Sequence, residues 1–177
     1  NTVQTATYTV TPILVAPFDL CEVYDFVTVV TIHPKATIAN VTAQICSSDS
    51  YSLTPQNAGS DIVPLNTTYT WTIQTNNTNI AGQNSQFAPQ NSFAQQLTNL
   101  TNTDQIIVYL VTPRSGMCAG DNFTVTITVH PKPSIMPQVA TICSGTAFSV
   151  TPSTTTVGNT IPVGTTYSWN TPIVTGG

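Results

Sequence analysis

Phe123-Thr124-Val125-Thr126-Ile127-Thr128-Val129-His130-Pro131-Lys132 decides the fold. Phe123, Val125, Ile127 and Val129 alternate strictly with threonines, and successive side chains of a strand point to opposite faces. The segment is therefore a strand with one face in a core and the other in water. His-Pro-Lys closes it, because proline has no N–H to give to a ladder.

The same text stands about 97 positions earlier, which marks an internal repeat. Phe26-Val27-Thr28-Val29-Val30-Thr31-Ile32-His33-Pro34-Lys35 is the earlier copy. At that shift Ile45-Cys46-Ser47 matches Ile142-Cys143-Ser144, Tyr51-Ser52-Leu53-Thr54-Pro55 matches Phe148-Ser149-Val150-Thr151-Pro152, and Cys21 falls on Cys118. With one residue inserted, Pro64 and Thr67-Thr68-Tyr69-Thr70-Trp71 match Pro162 and Thr165-Thr166-Tyr167-Ser168-Trp169. Tyr8-Thr9-Val10-Thr11-Pro12 matches Tyr109-Leu110-Val111-Thr112-Pro113, with a longer loop before the cysteine in the first copy.

His-Pro-Lys follows one strand and precedes the next unit, so it sets the boundaries. Residues 1–33 read as the end of one module, 34–130 as a complete module, and 131–177 as the beginning of a third. A period of this length is too long for a solenoid repeat and suits an immunoglobulin-like sandwich. The expected architecture is all-β, in tandem sandwich modules.

Alternation also places Tyr69, Trp71 and Ile73 on a core face, with Thr68, Thr70 and Thr72 outward. Ile106 to Val111 is apolar on both faces, which predicts a strand covered on both sides or lying at a module contact. Residues 76–91, rich in Asn and Gln, read as a long loop or weak edge strand, a solvated connection rather than a ligand-contacting surface. No helical periodicity occurs.

Composition bounds the function. Charged residues are 6% of the 177, and the only cations among Lys and Arg are Lys35, Arg114 and Lys132, with a net charge of -4. No positive field exists to gather phosphates or anionic lipid, so nucleic acid is not an expected partner. No apolar run reaches the roughly 18 residues of a membrane helix, so membrane insertion is not expected either. The first residue is Asn1, with no charged-then-apolar leader after it, and the expectation is an internal piece of a longer exported polypeptide. Asn40, Asn66 and Asn122 each open an Asn-x-Thr triplet, which in a chain so rich in Asn and Thr reads as coincidence.

The four cysteines form no Cys-x-x-Cys pair and read as disulfide partners in an oxidising compartment, not as zinc ligands. Cys46 and Cys118 both fall inside 34–130, so the boundaries predict a Cys46–Cys118 bridge, with the partners of Cys21 and Cys143 outside this sequence. The rival is Cys21–Cys46 with Cys118–Cys143, each across a joint.

No catalytic group stands out. His33 and His130 share one repeat position before proline, without an acidic partner in sequence, and read as joint or exposed residues. Among the scattered acids, Asp19, Glu22 and Asp25 lie closest together, but no calcium-loop spacing occurs, and a solvated loop is the reading. No Gly-x-Ser-x-Gly elbow is present. No cofactor or metal is expected, and the protein is not expected to be an enzyme.

Ile142-Cys143-Ser144-Gly145-Thr146-Ala147-Phe148-Ser149-Val150-Thr151-Pro152, then Gly164-Thr165-Thr166-Tyr167-Ser168-Trp169, with the strand ending Val129-His130-Pro131, resembles the PKD-like, immunoglobulin-type repeats of very large Bacteroidota surface adhesins. That group includes the gliding-motility adhesins exported by the type 9 secretion system. The resemblance implies an extracellular, cell-surface filament or stalk of many sandwiches in series. Its shared pattern consists of core, turn and cysteine positions and carries no binding residues over. The middle copy has Ser48 and Asp49 where the third has Gly145 and Thr146, which leaves the turn after Cys46 open.

The expected function is thus a structural and adhesive repeat. Its partners are neighbouring modules of the same chain, with surface glycans or other cell-surface proteins as further candidates. The alternative is a carbohydrate-binding module, which requires exposed aromatics on a sheet face, with Tyr51, Tyr69, Trp71 and Tyr109 as candidates.

Overall fold

The computed structural model describes residues 2–17 and 21–175. The strands in chain order are β1 (Gln4–Val10), β2 (Phe26–Ile32), β3 (Val41–Cys46), β4 (Ser50–Leu53), β5 (Thr67–Thr75), β6 (Ile80–Ala81), β7 (Gln86–Gln90), β8 (Phe93–Gln96), β9 (Thr98–Asn99), β10 (Gln105–Ser115), β11 (Cys118–Ala119) and β12 (Phe123–His130). No helix occurs among the described residues.

The Thr-alternating segments form the main sheet, in the order β3-β12-β10-β5-β7, with β11 paired to β10. β12 buries Phe123, Val125, Ile127 and Val129 and leaves its threonines half-buried on the other face. β4 and β8 form a second, small sheet, and β6 pairs with β9. Phe93 on β8 packs on Trp71 and Tyr109, with ring centroids 4.9 and 5.1 Å away, so two layers share one aromatic core. The arrangement is the expected all-β sandwich.

Every buried hydrophobic residue of this core lies between Ala36 and Val129. β1 and β2 pair only with each other, in the register of β10 and β12: Tyr8 faces Thr28 as Tyr109 faces Val125. Past β12, Ser134 bridges Thr160 as Thr37 bridges Ile62. The Met136 amide donates to Asn159 as the Ala39 amide donates to Asp61. The repeat seen in the text is thus reproduced in local hydrogen bonding.

Three expectations that left alternatives open take definite form. β10 is a central strand: Ile107, Tyr109 and Val111 are buried on its inner face, and on its outer face Val108 and Leu110 are half-buried while Ile106 is 53% exposed. Residues 76–91 take the edge-strand alternative: they hold the short β6 and the edge strand β7. The turn after Cys46 matches the one after Cys143, because Ser48 adopts φ 70° where Gly145 has 79°. The amides of Asp49 and Thr146 then donate to the carbonyls of Cys46 and Cys143.

Candidate functional site at the two poles of the sandwich

β3 and β12 are parallel neighbours, so the chain enters the sandwich at one pole and leaves it at the other. At the entry pole the Lys35 ammonium pairs with Asp121, whose other carboxylate oxygen accepts from Thr37 Oγ1 at 3.3 Å. The Lys35 hydrogen bond holds the Asp121 carboxyl below the ordinary carboxylate range. Gly120 admits this strap: a Cβ there would lie 2.6 Å from the Ala36 carbonyl oxygen. The Asp121 amide donates to that same oxygen at 3.0 Å.

At the exit pole His130 holds Asp104 through Nδ1 at 2.8 Å and Gln44 through Nε2 at 3.2 Å. The acidic partner missing from the local sequence comes from the loop before β10. Beside it Asn99 is buried, donating from Nδ2 to the carbonyls of Val129 and Thr103 at 2.7 Å each. Asn99 Oδ1 accepts from the amide and hydroxyl of Thr101 at 2.8 Å each. Ser47 Oγ receives the Asn99 amide at 3.0 Å, and the Ser47 amide donates to the His130 carbonyl at 2.8 Å. A buried polar network satisfied this fully fixes one geometry. Sequence reasoning missed Asn99; the available signal was Ser47, which recurs as Ser144. Beyond the pole, His130 and Pro131 share a cleft with Pro162 and Val163.

All four cysteines are free thiols. Cys46 faces His130 across β3 and β12 at the exit pole, while Cys118 faces Ser115 at the entry pole. The strand β10 spans between those levels, from Gln105 beside Val129 to Ser115, which at about 3.3 Å per residue is roughly 33 Å. A disulfide needs Cα atoms within about 7 Å. Cys46 also lies on the outer face with Thr42 and Gln44, whereas Cys118 faces the inward Ser115. The expected Cys46–Cys118 bridge does not fit this fold, because module boundaries say which cysteines share a sandwich but not at which end each lies.

The aromatic candidates for sugar stacking are in the core. Tyr69, Trp71 and Tyr109 are 2%, 5% and 0% exposed, and Tyr51 is half-buried. Trp71 Nε1 donates to the Asn84 carbonyl at 3.1 Å, which satisfies its one polar atom. Burial pushes the phenols of Tyr51, Tyr69 and Tyr109 above their ordinary value. Of the Asp19, Glu22 and Asp25 group, Asp19 lies outside the described residues, and the Glu22 carboxylate accepts from the Tyr24 hydroxyl at 3.2 Å. Among the described residues no three metal-ligating side chains come together.

A two-layer sandwich with opposed termini and with Tyr69, Trp71, Phe93, Tyr109 and Phe123 committed to the core is an immunoglobulin-like building module. The chain matches the family model of the PKD-like domain over residues 43–133, half of its length, and belongs to that family. PKD-like domains are in general extracellular structural or adhesive modules of non-catalytic fold. No curated protein matches the chain.

Proposed function

We propose that this chain is a stretch of a cell-surface filament or stalk in which PKD-like sandwiches follow one another end to end. In this reading residues 34–130 are one complete module between the end of one and the beginning of the next. The observation that carries it is the placement of the termini: the chain enters beside Lys35 and Asp121 and leaves beside His130, at opposite poles. A module built so adds its length to a stalk, and a short proline-containing joint keeps successive modules from folding back. The core aromatics favour a spacer over a sugar-binding face, since a stacking platform has to be exposed. The sequence resemblance supports a surface adhesin of the gliding-motility type, exported by a type 9 secretion system.

Two measurements test this. Antibody raised against residues 34–130 is expected to label intact cells of the producing organism, and to lose that labelling when type 9 secretion is disrupted; labelling only after lysis refutes the surface assignment. A chain carrying several modules, pulled from its ends with its cysteines kept reduced, is expected to give evenly spaced unfolding events. Each releases about 300 Å, from about 97 residues at up to 3.6 Å each less the folded length. A single irregular event refutes the serial arrangement. Binding of residues 34–130 to a glycan array favours the carbohydrate-binding alternative.

A further inference from the structure

We propose that the cysteines form covalent clasps between successive modules: the first cysteine of one repeat, represented by Cys46, bonds to the second cysteine of the next repeat, represented by Cys118. The inference rests on the serial reading above and goes beyond it, since it assigns a modification site at every joint.

Each repeat position recurs. Cys46 and Cys143 occupy the first, Cys21 and Cys118 the second. The two positions lie at opposite poles, and each is level with a joint. Cys46 is the direct cross-strand neighbour of His130, the last residue before Pro131, and neighbouring strands lie about 4.8 Å apart. At the other pole the Asp121 amide binds the Ala36 carbonyl, and both segments run inward from the pole. Lys35, two residues past His33, pairs with Asp121, three residues past Cys118, so Cys118 stands at the pole where the His-Pro-Lys joint enters the sandwich. His33 and His130 are the same repeat position. Every His-Pro-Lys joint is therefore flanked on its upstream side by a first-position cysteine and on its downstream side by a second-position cysteine. Cys46 is exposed and Cys118 partly so, as a contact between modules requires.

The same geometry disposes of the rival pairs. Cys21 belongs to an entry pole of the module before the one whose exit pole carries Cys46, which places nearly two module lengths between them. Cys118 and Cys143 stand in the same relation. The partner of Cys46 then falls about 97 residues beyond Cys118, past the last residue of this sequence, and all four thiols are free within it. In bond formation the two thiols lose two protons and two electrons to make one S–S bond, and a disulfide oxidant is reduced to two thiols. The clasp bridges the flexible joint, so it fixes the roll of one module on the next and carries tension past the proline linker.

The test uses the whole chain with residues 34–130 repeated once in series, which keeps both flanks and sets one complete module behind another. On oxidation by glutathione disulfide this chain is expected to lose two titratable thiols. Non-reducing peptide mapping is expected to join the Cys46 and Cys118 peptides. Cys46→Ser in the first copy, or Cys118→Ser in the second, abolishes the bridge; the same changes in the opposite copies leave it. A bridge within one copy, or full retention of thiols by a chain that unfolds cooperatively, overturns the clasp and leaves the serial reading standing. Absence of any cooperative transition overturns the serial reading and the clasp with it.

Discussion

Ser48 shows how a repeat tolerates a locally unfavourable residue. Its φ of 70° lies where a Cβ crowds the following carbonyl, at a cost of roughly 1–2 kcal/mol for an L-residue. The third copy has glycine at the equivalent position. Ser48 recovers part of that cost: its hydroxyl lies 3.2 Å from Thr98 Oγ1, and its amide donates to the Leu97 carbonyl at 2.8 Å. Glycine keeps the amide bond, loses the exposed hydroxyl contact, and adds about 0.5–1 kcal/mol of unfolded-state entropy. Ser48→Gly is therefore expected to leave stability unchanged or raise it by up to about 1 kcal/mol, while Ser48→Val costs about 1–2 kcal/mol through strain at its branched Cβ. Urea unfolding midpoints check the order, and a valine variant as stable as the glycine one contradicts the strain argument. Asn66 repeats the pattern at φ 62° where the third copy has Gly164 at 85°.

At the scale of the strand, β5 tests the core. Tyr69 and Trp71 both face inward, and the Trp71 ring packs on Phe93 across the two layers. Trp71→Ala removes that contact and leaves a cavity that β-sheet backbone cannot close, so a loss of about 3–5 kcal/mol is expected in chemical denaturation. A loss under about 1 kcal/mol would place Trp71 outside the core. Strands such as β5 and β12 were legible because one buried face imposes period two on the text. β10 was less so: Ile106, Val108 and Leu110 suggested a cover or a module contact, and the outer face is half-buried at Val108 and Leu110 but open at Ile106, since single apolar residues are tolerated at a half-exposed surface. The poles were least legible. His130 meets Asp104 and Gln44 through the pairing of β3 with β12 and the loop before β10, contacts set by strand order and not by sequence distance. Which end of the sandwich each cysteine occupies depends on that same order, and so the pairing drawn from boundaries alone failed.

At the scale of the whole molecule, equivalent residues have very different surroundings in the three copies. Phe123 is 1% exposed, but its counterpart Phe26 is 54% exposed; Trp71 is 5% exposed, but its counterpart Trp169 is 86% exposed. The sequence text is the same, so the difference lies in the layers available to cover it. Among the described residues β1 and β2 form only a two-stranded ribbon, and such a hairpin alone is marginal in water. Residues 131–177 keep their turns and the Ser134–Thr160 bridge but bury no aromatic residue. Residues 34–130 hold the six-stranded sheet, the facing strands and the whole buried core. Expressed separately, residues 34–130 are expected to unfold in one cooperative transition, with calorimetric and van't Hoff enthalpies in agreement, whereas 1–33 and 131–177 show no transition and exchange their amides rapidly. A cooperative transition from either flank, or none from the centre, refutes the boundaries drawn at His-Pro-Lys, because a segment that folds alone needs no neighbour to cover its apolar face.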